Sequence, residues 1–303
     1  MTPEPDHRSS RRRRRAAKLI TMTTDIAIRV AGLRKAYGGH QAVAGVDLEV
    51  RRGECFALLG PNGAGKTTTV EILEGYRSRD AGDVQVLGVD PARAGGAWRA
   101  RIGIVLQQVN DVSELTVREV VRHLATYYPS PRDPDQVIEM VGLTEKRGAR
   151  TRELSGGQRR RLDVALGILG NPELIFLDEP TTGFDPEARR AFWELIETLN
   201  TEGTTVLLTT HYLDEAERLA DRVGVIVRGV VVAVDTPAQL GGRSSAKAVV
   251  RWRGADGPQS VPTDEPGQVV HELYARHGEL PELTVTRPTL EDSYLAMIGA
   301  TDV

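Results

Sequence analysis

Two stretches of this 303-residue chain hold residue types whose spacing suits phosphate chemistry. The first is Gly60-Pro61-Asn62-Gly63-Ala64-Gly65-Lys66-Thr67-Thr68, which fits the loop pattern G-x-x-x-x-G-K-[ST]. Glycine is needed there because the turn must admit positive φ and because a Cβ would hold the backbone away from a phosphate. Successive N–H groups then converge on one concavity, and the helix that follows adds its positive end. In such a loop Lys66 would reach the β- and γ-phosphates of a nucleotide, and the Thr67 hydroxyl would hold Mg²⁺. The second stretch is Leu174-Ile175-Phe176-Leu177-Asp178-Glu179, four apolar residues closing on two carboxylates. A buried strand ending in Asp beside a phosphate loop is the other half of a nucleoside-triphosphatase site. Asp178 would anchor Mg²⁺ through its water shell, and Glu179 would polarise the attacking water as a general base. Without the loop, the same residues would read as a strand meeting a solvated acidic turn.

Four further features gain meaning only beside these two. Leu154-Ser155-Gly156-Gly157-Gln158 opens a helix whose apolar side holds Leu162, Val164, Ala165 and Leu169. Two glycines and a serine at a helix start present N–H donors and a hydroxyl to an anion, although a simple serine N-cap has the same appearance. His211 ends a strand, Thr205 to Thr209, that parallels the Asp178 strand in pattern, and active groups of open α/β sheets gather at such strand ends. Tyr37, upstream of the loop, either stacks on a purine base or sits at the surface of a hairpin. Gln107 and Gln108 end the strand that begins at Ile102; neighbours on an extended chain face opposite ways, so at most one points at a site.

The elements that must position these groups alternate in type. Cys55 to Leu59 reads as a buried strand before the loop, and Val70, Ile72 and Leu73 as the helix after it. Ile26, Ile28 and Val30 alternate as a strand, Val43 to Val50 is a second, and Asp83 to Leu87 a third. Val117, Val120, Val121 and Leu124 give a helix from Thr116 to Tyr128, stopped by Pro129-Ser130-Pro131. Another helix runs from Asp133 to Val141, so this part is a helical lobe between two sheet-forming stretches. Asp185 caps a helix with Pro186 at its first position and Phe192, Leu195, Ile196 and Leu199 buried. Gly241 to Ser245 reads as a linker. Beyond it lies a small α/β tail, with strands at Val249-Val250 and Leu283 to Thr286, a helix from Pro266 to His277 and a last helix capped by Thr289.

Composition bounds the setting. The chain is 40% hydrophobic and 27% charged with a mean hydropathy of −0.29, ordinary for a soluble globular protein. No run approaches the roughly 18 apolar residues that cross a bilayer, and the basic start is not followed by the apolar segment of a secretory signal. The lone Cys55 has no internal disulfide partner, which fits a reducing compartment and a cytoplasmic location. Net charge is −3, yet residues 1–18 hold seven Arg or Lys against two acids, leaving the remainder near −8. The Arg11 to Arg15 run could meet nucleic acid or an anionic membrane; a solvated tail is the plainer reading.

The loop at Gly60, Leu154–Gln158, Leu174–Glu179 and His211 stand in the order and approximate spacing of the ATP-binding cassette family, and the chain resembles that family from about residue 25 to 240. The Leu-Ser-Gly-Gly-Gln pentapeptide is diagnostic, because other phosphate-loop ATPases lack it. Within the family the chain most resembles the detached ATP-binding subunits of two-component bacterial exporters of the daunorubicin-resistance type. Arg287 to Tyr294 looks like their C-terminal tail, a weaker match. The resemblance implies an α/β fold: a phosphate-loop ATPase core with an antiparallel β subdomain, a helical lobe and a small α/β C-terminal domain. The corresponding boundaries are a basic arm at 1–22, an ATP-binding domain at 23–239 with its lobe at about 108–160, and an accessory or dimer-contact domain at 240–303.

It also implies roles. Tyr37 matches the adenine-stacking aromatic, and Gln107 the glutamine that meets Mg²⁺ and reports nucleotide state to the permease. Asp178 and Glu179 match the Mg²⁺-anchoring acid and the catalytic base, His211 the switch histidine at the γ-phosphate, and Asp185 the aspartate at the subunit interface. Family members pair head to tail, so Gly60–Thr68 of one copy and Ser155, Gly156, Gly157 and Gln158 of the other enclose one ATP. A site split this way closes only when the γ-phosphate is present and reopens after hydrolysis. Phe184 departs from the leucine common before the interface aspartate, a change of bulk.

The expected function is ATP hydrolysis that powers a separately encoded membrane permease at the cytoplasmic face of the membrane, with export of a drug-like or lipid-like substrate. The alternatives are an importer subunit and a soluble cassette protein acting on DNA or ribosomes. Nucleic acid is the poorer fit: about 90 residues separate Gly60 from Leu154, too few for a long coiled-coil insertion, there is one cassette, and no cysteine set could bind zinc.

Overall fold

The computed structural model describes residues 26–105, 114–254 and 257–299. Two long antiparallel strands, β1 (Ile26–Tyr37) and β2 (His40–Arg51), turn at Gly38-Gly39. β3 (Cys55–Leu59) leads through the glycine loop into α1 (Lys66–Leu73). β4 (Ala81–Val86) returns to β1, giving a small antiparallel sheet of order β2-β1-β4. α2 (Gly96–Arg99) and β5 (Ile102–Val105) follow.

The lobe comprises α3 (Val117–Ala125), α4 (Pro134–Met140) and the start of α5 (Gly156–Ile168). Thr116 and Glu119 form a reciprocal capping box on α3, and Asp133 caps α4 by accepting from Asp135 and Gln136. α3 stops at Ala125, short of the expected Tyr128: the N–H groups of Thr126, Tyr127 and Tyr128 donate to the carbonyls of His123, Leu124 and Ala125, three residues back, so the α-helical ladder tightens and ends. α5 continues from the lobe to pack on β5. The lobe and the core therefore share one helix.

β6 (Leu174–Asp178), α6 (Pro186–Thr201), β7 (Thr205–Thr209), α7 (Leu213–Leu219), β8 (Arg222–Val227) and β9 (Val230–Asp235) complete the core. Its six strands run in the order β5-β6-β7-β3-β8-β9, all parallel except β9. The period of two along β6 divides the interior. Leu174 and Phe176 face Phe56, Leu58 and Ile226 under the antiparallel sheet and α1. Ile175 and Leu177 face Val206, Leu208, Leu162 and Phe192 under the helices. Each such side chain, fully withdrawn from water, contributes about 1.5–3 kcal/mol.

The chain ends in β10 (Ala248–Gly254), β11 (Gly257–Thr263), α8 (Pro266–His277), β12 (Thr284–Thr286) and α9 (Leu290–Gly299), with β10 central in an antiparallel sheet. Composition suggested a linker at Gly241–Ser245; the structure has a fastened corner there. Arg243 donates to the carbonyls of Pro237 and Pro288 and pairs with Glu217 at 2.8 Å. Leu240 and Leu290 are buried with Val223 and Val225 of β8, which docks α9 on the core.

Candidate functional site

Register decides which loops meet. Thr209 of β7 lies opposite Leu58 of β3 on one side and Asp178 of β6 on the other. The three strands are parallel, so the glycine loop, the Glu179 turn and Thr210-His211 all leave the same edge of the sheet. Ligands of open α/β sheets bind in the crevice beyond that edge.

The loop is shaped by its neighbours. Gly65 is the N-cap of α1 at φ 102°, and a Cβ there would run into the Ala42 carbonyl. The Gly229 N–H donates to Ala64 O at 2.9 Å and the Ala44 N–H to Gly229 O at 2.7 Å, so the β8–β9 turn clamps the loop against β2. Gly63 has φ 78° with open space beside it, so the turn's conformation, rather than packing, excludes a side chain there. The first N–H groups of α1 lack acceptors inside the helix and face the crevice side.

Lys66 is only 7% exposed, and its Nζ donates to the carbonyls of Gly60 at 2.6 Å and Pro61 at 3.1 Å. Burial pushes its pKa down, while Glu179 and Asp178 pull it back up. Its hydrogen bonds go to two neutral carbonyls, so an anion in the loop would be the stronger partner. Thr67 is exposed beside it. The Thr67 hydroxyl and the Asp178 carboxylate both offer oxygen as the donor atom. That donor set suits a hard cation such as Mg²⁺, which keeps waters and leans on substrate phosphates instead of a protein cage.

Asp178 accepts a short hydrogen bond from the Thr209 hydroxyl. Glu179 follows at φ 45°, in the left-handed region that a residue with a long side chain adopts at a cost of about 1–3 kcal/mol. It is held there from both sides. Its N–H donates to Thr209 O at 3.1 Å, while Arg160 of α5 donates to the carbonyls of Asp178 at 2.7 Å, Glu179 at 3.3 Å and Pro180 at 3.0 Å. The Glu179 carboxylate lies 3.3 Å from His211 Nδ1. An ammonium, two carboxylates and an imidazole thus converge on a glycine loop, an arrangement able to bind a polyphosphate and orient a water against it.

Other expected residues occupy other places. Tyr37 ends β1, with Lys35 Nζ and Arg77 Cζ at 5.5 and 5.3 Å from its ring centroid. Ser155 and Gln158 form a reciprocal cap on α5, and among the described residues nothing lies within 4 Å of where a Cβ on Gly156 or Gly157 would stand. Asp185 caps α6 by accepting from the Ala188 N–H at 2.7 Å, and Phe184 packs edge-to-face on Phe192. Among the described residues neither group hydrogen-bonds to Gly60–Thr68. Gln107 and residues 1–22 lie outside the described residues.

Three contributors escaped the sequence reading. Arg160 is hidden in the run Arg159-Arg160-Arg161, which resembles a solvated face. Thr209 looks like any strand residue until its register with Asp178 is known. Glu215 is fully buried next to Trp193, whose Nε1 donates to it at 3.4 Å, and burial pushes its pKa up.

Comparisons with known proteins bear on the family and the fold. The family model described as ABC transporter matches residues 43–182. The chain is 37% identical over 306 residues to the daunorubicin resistance ATP-binding protein DrrA3 of Streptomyces coeruleorubidus, covering 91% of this chain and 96% of that protein. The chain belongs to the ATP-binding cassette family. It is also 44% identical over 236 residues to the Nod factor export ATP-binding protein I of Ralstonia nicotianae, covering 76% and 73% of the two chains. Among solved structures, an ATP binding subunit of an ABC transporter superposes with a TM-score of 0.66 at 26% identity, over 72% of this chain and 93% of that one. A dimeric, post-hydrolysis ATP-binding cassette bound to ADP and Pi gives 0.63 at 25% identity, over 69% and 98%. This ABC chain is therefore an ATP-hydrolysing subunit that works with a separate membrane permease, and cassettes of its kind dimerise.

Proposed function

We propose that this cassette powers export, with ATP seated on Gly60–Thr68 and each site completed by Ser155–Gln158 and Asp185 of a second copy joined head to tail. The observation that carries the reading is the meeting of Lys66, Asp178, Glu179 and His211 beyond one sheet edge. Loop N–H groups and Lys66 bind the phosphates, Thr67 and Asp178 hold Mg²⁺, and Tyr37 stacks on adenine. Mg²⁺, when bound, neutralises charge on the β- and γ-phosphate oxygens. Glu179 accepts a proton from the attacking water, and His211 keeps that carboxylate aimed at the γ-phosphate. Gln107 passes nucleotide state to the permease.

Export, rather than import, is supported by the printed functions of the relatives: daunorubicin resistance in one and Nod factor export in the other. A drug-like or lipid-like cargo follows from the same two names. No helix among the described residues is long and apolar enough to cross a membrane. In this reading the chain meets the cytoplasmic face of the bilayer through its permease. The test is co-purification from membranes. A polytopic membrane protein recovered without a substrate-binding protein supports export. A ribosome or nucleic acid in its place overturns the proposal.

A further inference from the structure

Arg160 occupies a position that the catalytic reading leaves unexplained. It lies on α5 one turn beyond Gly156 and Gly157, the open start of the helix, yet it is buried. Its guanidinium spends Nε on the Pro180 carbonyl and Nη2 on those of Asp178 and Glu179. These are three consecutive peptides of the catalytic turn, and the middle one belongs to the residue held at positive φ. A guanidinium presents its donors in one rigid plane that meets all three carbonyls at once, whereas an ammonium is a compact charge on a flexible stem. Burial lowers the basicity of Arg160, and the nearby acids Asp163, Asp178, Glu179 and Glu215 oppose that effect in part.

We propose that Arg160 is a positioning residue for hydrolysis: acting from the helix that begins with Ser155–Gln158, it holds the Glu179 peptide in its left-handed conformation and so aims the carboxylate. The proposal rests on the assignment of Glu179 as the base. Its physical content is that the catalytic turn follows α5. About 1.5 Å of rise per residue puts Arg160 some 6 Å along the axis from Gly156, so a shift at the start of α5 moves the guanidinium and the three carbonyls together. The turn is anchored on its other side by Thr209 of β7, which belongs to the rigid sheet. Glu179 is therefore suspended between a sheet strand and a lobe helix, and its aim depends on their separation.

The test uses the full chain and steady-state ATP hydrolysis. Arg160→Lys keeps the charge without the fork; Arg160→Met keeps bulk without donors. We expect kcat to fall at least tenfold in both, as displacement of a catalytic group by a fraction of an ångström to one ångström does, with KM and ATP affinity within about twofold of the parent. Each variant is then combined with Glu179→Gln in single-turnover assays. A residue that acts through Glu179 adds little to that loss, so the double variants should match Glu179→Gln within about twofold. An equal fold loss in both backgrounds, or a raised KM with kcat unchanged, overturns the proposal. Should Arg160→Met fail to fold, Arg160→Lys carries the same comparison. A failure of the Glu179 assignment is distinguishable, since Glu179→Gln would then keep near-parental turnover with Arg160 intact.

Discussion

His211 Nδ1 lies 3.3 Å from Glu179 Oε1, so the residue that ends the β7 loop touches the residue that begins the β6 turn. The imidazole also lies against Tyr212, with ring centroids 4.1 Å apart. Two strands therefore deliver one acid–base pair, and each member limits where the other can point. Removing the imidazole leaves the carboxylate its length and charge but not its direction.

His211→Ala should lower ATP turnover at least about tenfold while ATP still binds. Phosphate release and nucleotide-binding titrations on the same preparation separate the two quantities. A variant that loses both equally would place His211 in ground-state binding instead.

Glu179→Gln should slow turnover about 10²-fold or more, because the amide cannot accept a proton from water. The substitution is nearly isosteric, so ATP binding and nucleotide-dependent pairing should persist, and gel filtration with ATP would then display a stable dimer. Near-normal turnover would remove Glu179 from the role of base.

Lys66→Ala should act on binding itself. In the parent, ATP at about a hundredfold its Kd adds roughly 2.7 kcal/mol of stability by mass action. The variant lacks the one buried cation directed at the loop carbonyls and should lose most of that gain. Thermal melts with and without ATP make the comparison; an undiminished shift would count against the role of Lys66.

Much of this was legible in the sequence, for reasons that differ by residue. Gly65 is readable because its conformation and its closeness to Ala42 forbid any other residue, so chemistry and spacing coincide in one motif. β6 is readable because a short run of four apolar residues closing on acids suits a strand buried on both faces, as the inner strands of a parallel sheet are. The ends of helices are less so: α3 closes early in a tightened turn over Thr126 to Tyr128 that apolar periodicity does not record. Arg160 and Thr209 were hidden for a stronger reason. Their function lies in partners 18 to 31 residues distant, set by packing and strand register. Composition misread Gly241–Ser245 because flexibility of glycine in isolation says nothing of Arg243 tying the corner down.

Glu74 supplies a pH prediction. It caps the end of α1, is buried, and has its pKa raised to about 8, first by burial and then by Asp178 and Glu71. In the unfolded chain the same carboxyl titrates near its ordinary 4.5. Between those values the folded chain keeps a proton that the unfolded chain has released, so this group's contribution is fully present below pH 4.5 and is lost as pH rises through about 8. Glu74→Gln stays neutral throughout and should remove that slope. At pH 8.5 the variant should be the more stable by up to roughly 3 kcal/mol relative to the difference at pH 5.5, at about 1.4 kcal/mol per unit. Asp163, raised to about 6 by burial, tilts both proteins alike and cancels in the comparison. Urea titrations of the nucleotide-free proteins at the two pH values measure it. Parallel curves for parent and variant would mean that Glu74 ionises in the folded chain as readily as in water.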